Sequence, residues 1–253
     1  MKRIVITTFG SYGDLHPYIA IARGLMARGH DVVLVTSEVY RSKVEVEGIA
    51  FHPMRPHLPD LGDQADVVER VYDPRRGAEY MMRELVMPHL AGTYDDLLTA
   101  TAGADLIVSH PLTFAAPLVA RKLALPWIST VLQPMLFMST YEPPLLPPAP
   151  WLRSLHALSP ALYRFVFGRI KRSMLSWSEP VRTLARRHGI APPDGDPMFE
   201  GQYSPYGTLA LFSATLAEPQ PDWPAHTHIT GFPFYDRLEP GRGVPPALLA
   251  SPP

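Results

Sequence analysis

The sequence contains no cysteine. Disulfides, thiolate metal centres and a cysteine nucleophile are thereby excluded. Lysine is scarce, 4 residues against 19 arginines, and the formal net charge is only −1, so the chain as a whole has no general attraction for nucleic acid. No apolar run approaches the ~18 residues needed to span a bilayer. Lys2 and Arg3 lead into only a short apolar run before Gly10, which is not a secretory leader pattern, and the expected compartment is the cytoplasm. Chemical signatures are missing as well. There is no G-x-G-x-x-G turn and no Gly-Lys-Ser/Thr phosphate loop, although Glu38 stands after the second apolar run, where a ribose-binding acid would sit. The ten histidines show no metal-ligating spacing, so no metal site is expected. No G-x-S-x-G elbow occurs.

Proline, by contrast, is plentiful. Its 30 residues cluster between Pro134 and Pro160 and again after Pro192, where they disfavour helix and central strand. The 253 residues, 46% hydrophobic and 19% charged, suffice for one sizeable α/β domain.

The residues 1–36 set the pattern. Ile4 to Thr8 is a β-branched run ending in Gly10-Ser11-Tyr12-Gly13, followed by a helical stripe (Leu15, Ile19, Ala22, Leu25, Met26) that stops at Gly29. Asp31 to Thr36 is a second strand, which makes a right-handed βαβ unit with parallel strands. Further strands are expected at 49–52, 105–109, 127–132, 208–212 and 228–231. Helices are expected at 40–47, 78–101 with a kink at Pro88, 113–125, and 159–188 with an interruption near Pro180. Residues 53–77 read as a long loop and 133–150 as a proline-laden crossover. The architecture implied is an α/β fold, an open parallel sheet of about seven strands with helices on both faces.

In such a sheet the binding site lies at the carboxyl ends of the strands. The loop after the first strand offers backbone N–H groups and a helix dipole to an anion. Asp14 stands there, either as a helix cap or as a general base beside bound phosphate.

The segments Gly10-Ser-Tyr-Gly-Asp-Leu-His-Pro17, Ala20, Leu25 and Arg28-Gly29-His30-Asp31-Val32 resemble the opening of bacterial and fungal glycosyltransferases of the GT-B type. Ser109-His110-Pro111-Leu112, Leu132-Gln133-Pro134 and Ile229-Thr230-Gly231-Phe232 are similar to later landmarks of the same acceptor-binding half. By motif the resemblance is to the sterol, glycopeptide and macrolide glycosyltransferases, with Tyr12 replacing a common Arg and His16 a common Gln. It implies a Rossmann-like acceptor-binding domain over 1–238 and an interdomain linker over 239–253, with the donor-binding domain outside the sequence.

It further implies an inverting, metal-independent hexosyl transfer, with no cofactor and a nucleotide-sugar co-substrate held mainly by the other domain. Asp14 would be the base that takes the acceptor's proton. His110 would be its partner, orienting it or sharing its charge and tuning its pKa toward the working pH, or else a wall of the acceptor pocket or a loop cap. Gly10, Ser11 and Gly13 would face the donor diphosphate. Acceptor contacts would come from Tyr12, His16, the loop 53–77, Met81, Met82 and the segment 132–141, including Gln133, Met135, Phe137 and Tyr141. The apolar members of that last segment suit either a hydrophobic small-molecule or lipid acceptor or ordinary core packing. A non-catalytic module for an apolar ligand, or one subunit of a split enzyme, remains the alternative. Finally, the helical stretch from Arg153 to Arg187 carries many bases and one acid, Glu179. That is either a solvated face or a peripheral contact with anionic lipid.

Overall fold

A computed structural model describes residues 1–57, 61–191 and 195–236. The linker expected at 239–253 lies outside them. Seven parallel strands form one sheet: β1 (Arg3–Thr7), β2 (Asp31–Thr36), β3 (Ala50–Pro53), β4 (Leu106–Ser109), β5 (Trp127–Val131), β6 (Thr208–Ala210) and β7 (Thr227–Ile229). Their spatial order is β3-β2-β1-β4-β5-β6-β7. The chain therefore builds outward from β1 in one direction, returns, and builds outward from β4 in the other. Ile4 is in register with Val32 on one side and Leu106 on the other.

Strand alternation sorts the core into two layers. Ile4, Ile6, Val32, Leu34 and Val108 face one side, packing with Leu15, Tyr18, Ile19 and Ala22 of α1 (Tyr12–Met26) and Val44 of α2 (Arg41–Glu45). Val5, Val33, Val35 and Ile107 face the other, where the later helices cover them. Gly29, at φ +82, takes the left-handed turn after α1 that residues with a Cβ resist.

The region 53–77 is not simply a loop. It contains α3 (Gln64–Val71), whose N-cap Asp63 accepts from the N–H groups of Ala65 and Asp66. The expected helix 78–101 is continuous in path but not in type. A short α4 (Gly77–Tyr80) passes into a π-helical segment, Met81–Val86, then a 3-10 turn, Met87–His89, before α5 (Leu90–Ala100). Pro88 has no N–H to donate, and just ahead of it the Met87 N–H slips to the Met82 carbonyl, so the ladder changes pitch instead of breaking. After α6 (Ala116–Lys122) come α7 (Trp151–Leu158), α8 (Pro160–Met174), a 3-10 turn at Leu175–Ser178 and α9 (Glu179–Arg187). Pro180 lies in the first turn of α9, where an N–H is not needed, and the break falls ahead of it.

Candidate active site

The site forms where the sheet order reverses. The His110 N–H, just beyond β4, donates to the carbonyl of Thr7 at the end of β1 at 3.0 Å. The helices that follow these two strands pack on opposite faces of the sheet, which is the place where open α/β sheets receive ligands.

The β1–α1 turn is built around a carboxylate. Ser11 is the N-cap of α1, and its Oγ accepts from the Gly13 N–H at 3.2 Å. Asp14 closes a capping box: its Oδ2 accepts from the Ser11 N–H at 2.8 Å and the Ser11 hydroxyl at 3.1 Å. Residue 10 must be glycine for this. Its φ is +134, and a Cβ there would stand 2.2 Å from Asp14 Oδ2. The Thr8 hydroxyl donates to the Asp14 carbonyl and the Tyr40 hydroxyl to the Gly10 carbonyl, both at 2.9 Å.

Behind the carboxylate lies His110. Its Nδ1 accepts from the Leu112 N–H at 3.1 Å, so the neutral ring carries its proton on Nε2. Nε2 is 3.3 Å from Asp14 Oδ1 and donates to it. The imidazole side chain is 3% exposed and the carboxylate 32%: solvent meets Asp14, not His110. Tyr18 packs edge-on to the imidazole at 5.7 Å. Its hydroxyl bonds Thr130 Oγ1, which in turn donates to the Ser109 carbonyl at 2.8 Å, and burial pushes that phenol well above its ordinary pKa.

Burial works to raise the Asp14 pKa, but the hydrogen bond and charge of His110 and the two Ser11 donors outweigh it. The carboxyl therefore titrates below its ordinary value. A donor aimed at a carboxylate favours its charged form.

The turn amides also have a prior use. The Ser11 N–H and hydroxyl and the Gly13 N–H, expected to face a diphosphate, are engaged within the capping box. Of the expected acceptor contacts, Tyr12 and His16 sit at the mouth, with rings 5.3 Å apart, and Tyr12 is equally close to Tyr40. Met81 is half-buried, whereas Met82 is buried in the main core with Phe9 and Met54. Gln133, Met135 and Tyr141 are exposed. Phe137 is not: it stacks on Trp223 at 4.2 Å and packs with Tyr203 and Phe212, because the 3-10 turn Pro134–Phe137 points it inward. With Tyr203, Phe199 and Pro224 it lines a pocket of about 370 Å³ on the flank of β5 and β6, apart from Asp14. Glu38, the candidate ribose-binding acid, is instead held by both Nε and Nη2 of Arg41.

Sequence reasoning missed Tyr40, Tyr18, Thr8 and Tyr235. Tyr235 rests 4.9 Å from the His16 ring and donates to Glu47 at 2.7 Å. Only Tyr40 carried a signal, its place just beyond β2 on the same edge of the sheet. Among the described residues no three His, Asp or Glu side chains gather as a metal site, and no helix is long and apolar enough to cross a membrane.

Residues 4–120 match the glycosyltransferase family 28 N-terminal domain. Over that span the chain is similar to glycosyltransferases. Over 97% of its length it is 32% identical to O-mycaminosyltylonolide 6-deoxyallosyltransferase of Streptomyces fradiae, of which it covers 57%. Over 95% of its length it is 28% identical to a sterol 3-beta-glucosyltransferase of Cryptococcus neoformans, of which it covers 15%. The chain thus spans little more than half of the first relative and a smaller share of the second. In fold, 96% of it superposes on 54% of the calicheamicin glycosyltransferase CalG4 with TM-score 0.61 and 14% identity. The sheet is one Rossmann-like half of a GT-B fold, and the Asp14 turn and the His110 loop both fall inside the family 28 domain.

Proposed function

We propose that this chain is the acceptor-binding half of an inverting hexosyltransferase that needs no metal ion, and that Asp14 is its general base. The acceptor's hydroxyl oxygen attacks the anomeric carbon of a nucleotide sugar and its proton passes to Asp14. The bond from the anomeric carbon to the phosphate oxygen breaks, and the nucleoside diphosphate leaves with that electron pair. One observation carries the reading: the Asp14 carboxylate keeps 32% of its surface exposed while a buried imidazole donates to it. One lone pair of Oδ1 binds His110, and the other remains for the acceptor.

The donor would be gripped by a second domain, in line with relatives that extend well beyond this chain. Those relatives are named for a macrolide and for sterols, and the acceptor class that fits both is an apolar molecule bearing a hydroxyl. The residues Tyr12, His16 and Met81 would meet it at the mouth.

The test is transfer by the enzyme assembled from this chain and its nucleotide-sugar-binding domain. Asp14→Asn is expected to lower turnover by at least ~100-fold while acceptor binding, read by calorimetry, is kept. Unchanged turnover overturns the assignment. The isolated chain should bind an apolar acceptor but bind a uridine diphosphate sugar poorly; tight donor binding by it would contradict the division of labour.

A further inference from the structure

The helical hairpin of α7 and α8 has a small core of its own, Leu152, Tyr163 and Phe167, and meets the main core through Met138 and Met174. Yet α8 also has an exposed stripe on its opposite face, apolar at one end and basic at the other. Leu162, Phe165, Arg169 and Arg172 follow at spacings of three, four and three, one side of a helix, and all four are exposed. Leu158, at the corner of the hairpin, is 84% exposed, and Phe165 is 67% exposed. A helix in water turns its apolar residues inward and its charges outward. Here leucine and phenylalanine look outward as a group, which marks an interaction surface more than scattered exposure does.

Charge says what meets it. From Trp151 to Leu175 the chain has Arg153, Arg164, Arg169, Lys171 and Arg172 and neither aspartate nor glutamate. Lys171 reaches Glu200 at 2.7 Å. The four arginines are exposed, and no ion pair is formed by them among the described residues. A second copy of the chain on a twofold axis would set these arginines against each other. A surface offering both hydrocarbon and negative charge satisfies the whole face at once.

We propose that the hairpin α7–α8 docks on an anionic lipid surface, with Leu158, Leu162 and Phe165 entering the headgroup boundary and Arg164, Arg169 and Arg172 pairing with lipid phosphates. This is peripheral attachment, and it does not depend on Asp14 or on transfer.

Co-sedimentation of the chain with vesicles tests it, comparing phosphatidylcholine alone with phosphatidylcholine containing phosphatidylserine. Binding is expected only to the anionic vesicles and is expected to be released by added sodium chloride. The triple variant Arg164→Ala, Arg169→Ala, Arg172→Ala should weaken the partition coefficient on the order of a hundredfold. Leu158→Ser with Phe165→Ser should weaken it as well. All five side chains are exposed, so thermal unfolding midpoints should hold and a lost interaction will not be mistaken for a lost fold. No binding, equal binding to both vesicles, or binding that survives both variants overturns the proposal. Should gel filtration show a dimer that these variants dissolve, the face belongs to a second copy and the lipid assignment falls.

Discussion

His110 Nε2 donates to Asp14 Oδ1 from a buried position, while the carboxylate it holds stays partly exposed. The two residues are 96 positions apart and meet because β1 and β4 are neighbours in the sheet. In the proposed reaction Asp14 is the group that meets the acceptor, and His110 is a positioning residue that acts through it.

A pH prediction follows from the direction of the Asp14 shift. Its native pKa is lowered, so the linked stability and the base form are complete above the ordinary value of 3.8 and are lost as pH falls through the lowered native value. His110→Ala removes much of the opposition to burial, the largest single influence, which raises the pKa. The acid limb of the pH–rate profile should then move to higher pH, and a merely structural histidine would lower the rate without moving that limb. An acid limb that stays in place would show that the imidazole does not govern the carboxylate.

Gly10→Ala forces a methyl into the space of Asp14 Oδ2 and strains a backbone at φ +134. A loss on the order of 1–3 kcal/mol is expected, read from denaturant unfolding. Activity should fall further than stability accounts for, because the carboxylate must swing away from His110.

Ser11→Ala removes the cap and one of the Asp14 donors. Caps of this kind are worth about 1 kcal/mol, and thermal unfolding should show a drop of that order. With one lowering partner gone, the Asp14 pKa should rise and carry the acid limb upward, by less than in His110→Ala.

The segment after β5 is clamped from a distance. Asp222 Oδ1 accepts from the Ser139 hydroxyl at 2.7 Å, and its Oδ2 from the N–H and hydroxyl of Thr140 at 2.6 and 2.9 Å. Asp222→Ala should free the segment and raise the KM for acceptor several-fold while kcat changes little. A fall in kcat alone would deny the segment a part in acceptor binding.

The β1–α1–β2 unit was legible because both of its periods are clean and Gly10 and Gly29 punctuate it. The pairing of Asp14 with His110 was legible for a related reason: each ends a strand run, and parallel strands deliver their carboxyl ends to one edge. The sequence left Phe137 open between two placements, because an apolar residue in a proline-rich connection looks the same whether it faces a ligand or its own core. Trp223, the residue that claims it, lies far along the chain with no pattern linking the two. Tyr235 reaches Glu47 across 188 positions, again without local trace. The helix α3 was hidden by the prolines and charges around it, although Asp63 followed by Gln64 is a cap and a helix start. At Met81–Val86 the apolar spacing identified a helix but not its pitch, which depends on where the N–H missing from Pro88 is felt.

The satellite core of Leu152, Tyr163 and Phe167 also sets how the molecule breathes. Three buried side chains secure far less free energy than the two layers about the sheet, so the hairpin is expected to open more readily than the rest. Its amides should exchange with deuterium well before those of β1 and β4, and contact with any surface that covers its outer face should slow that exchange while leaving the sheet untouched.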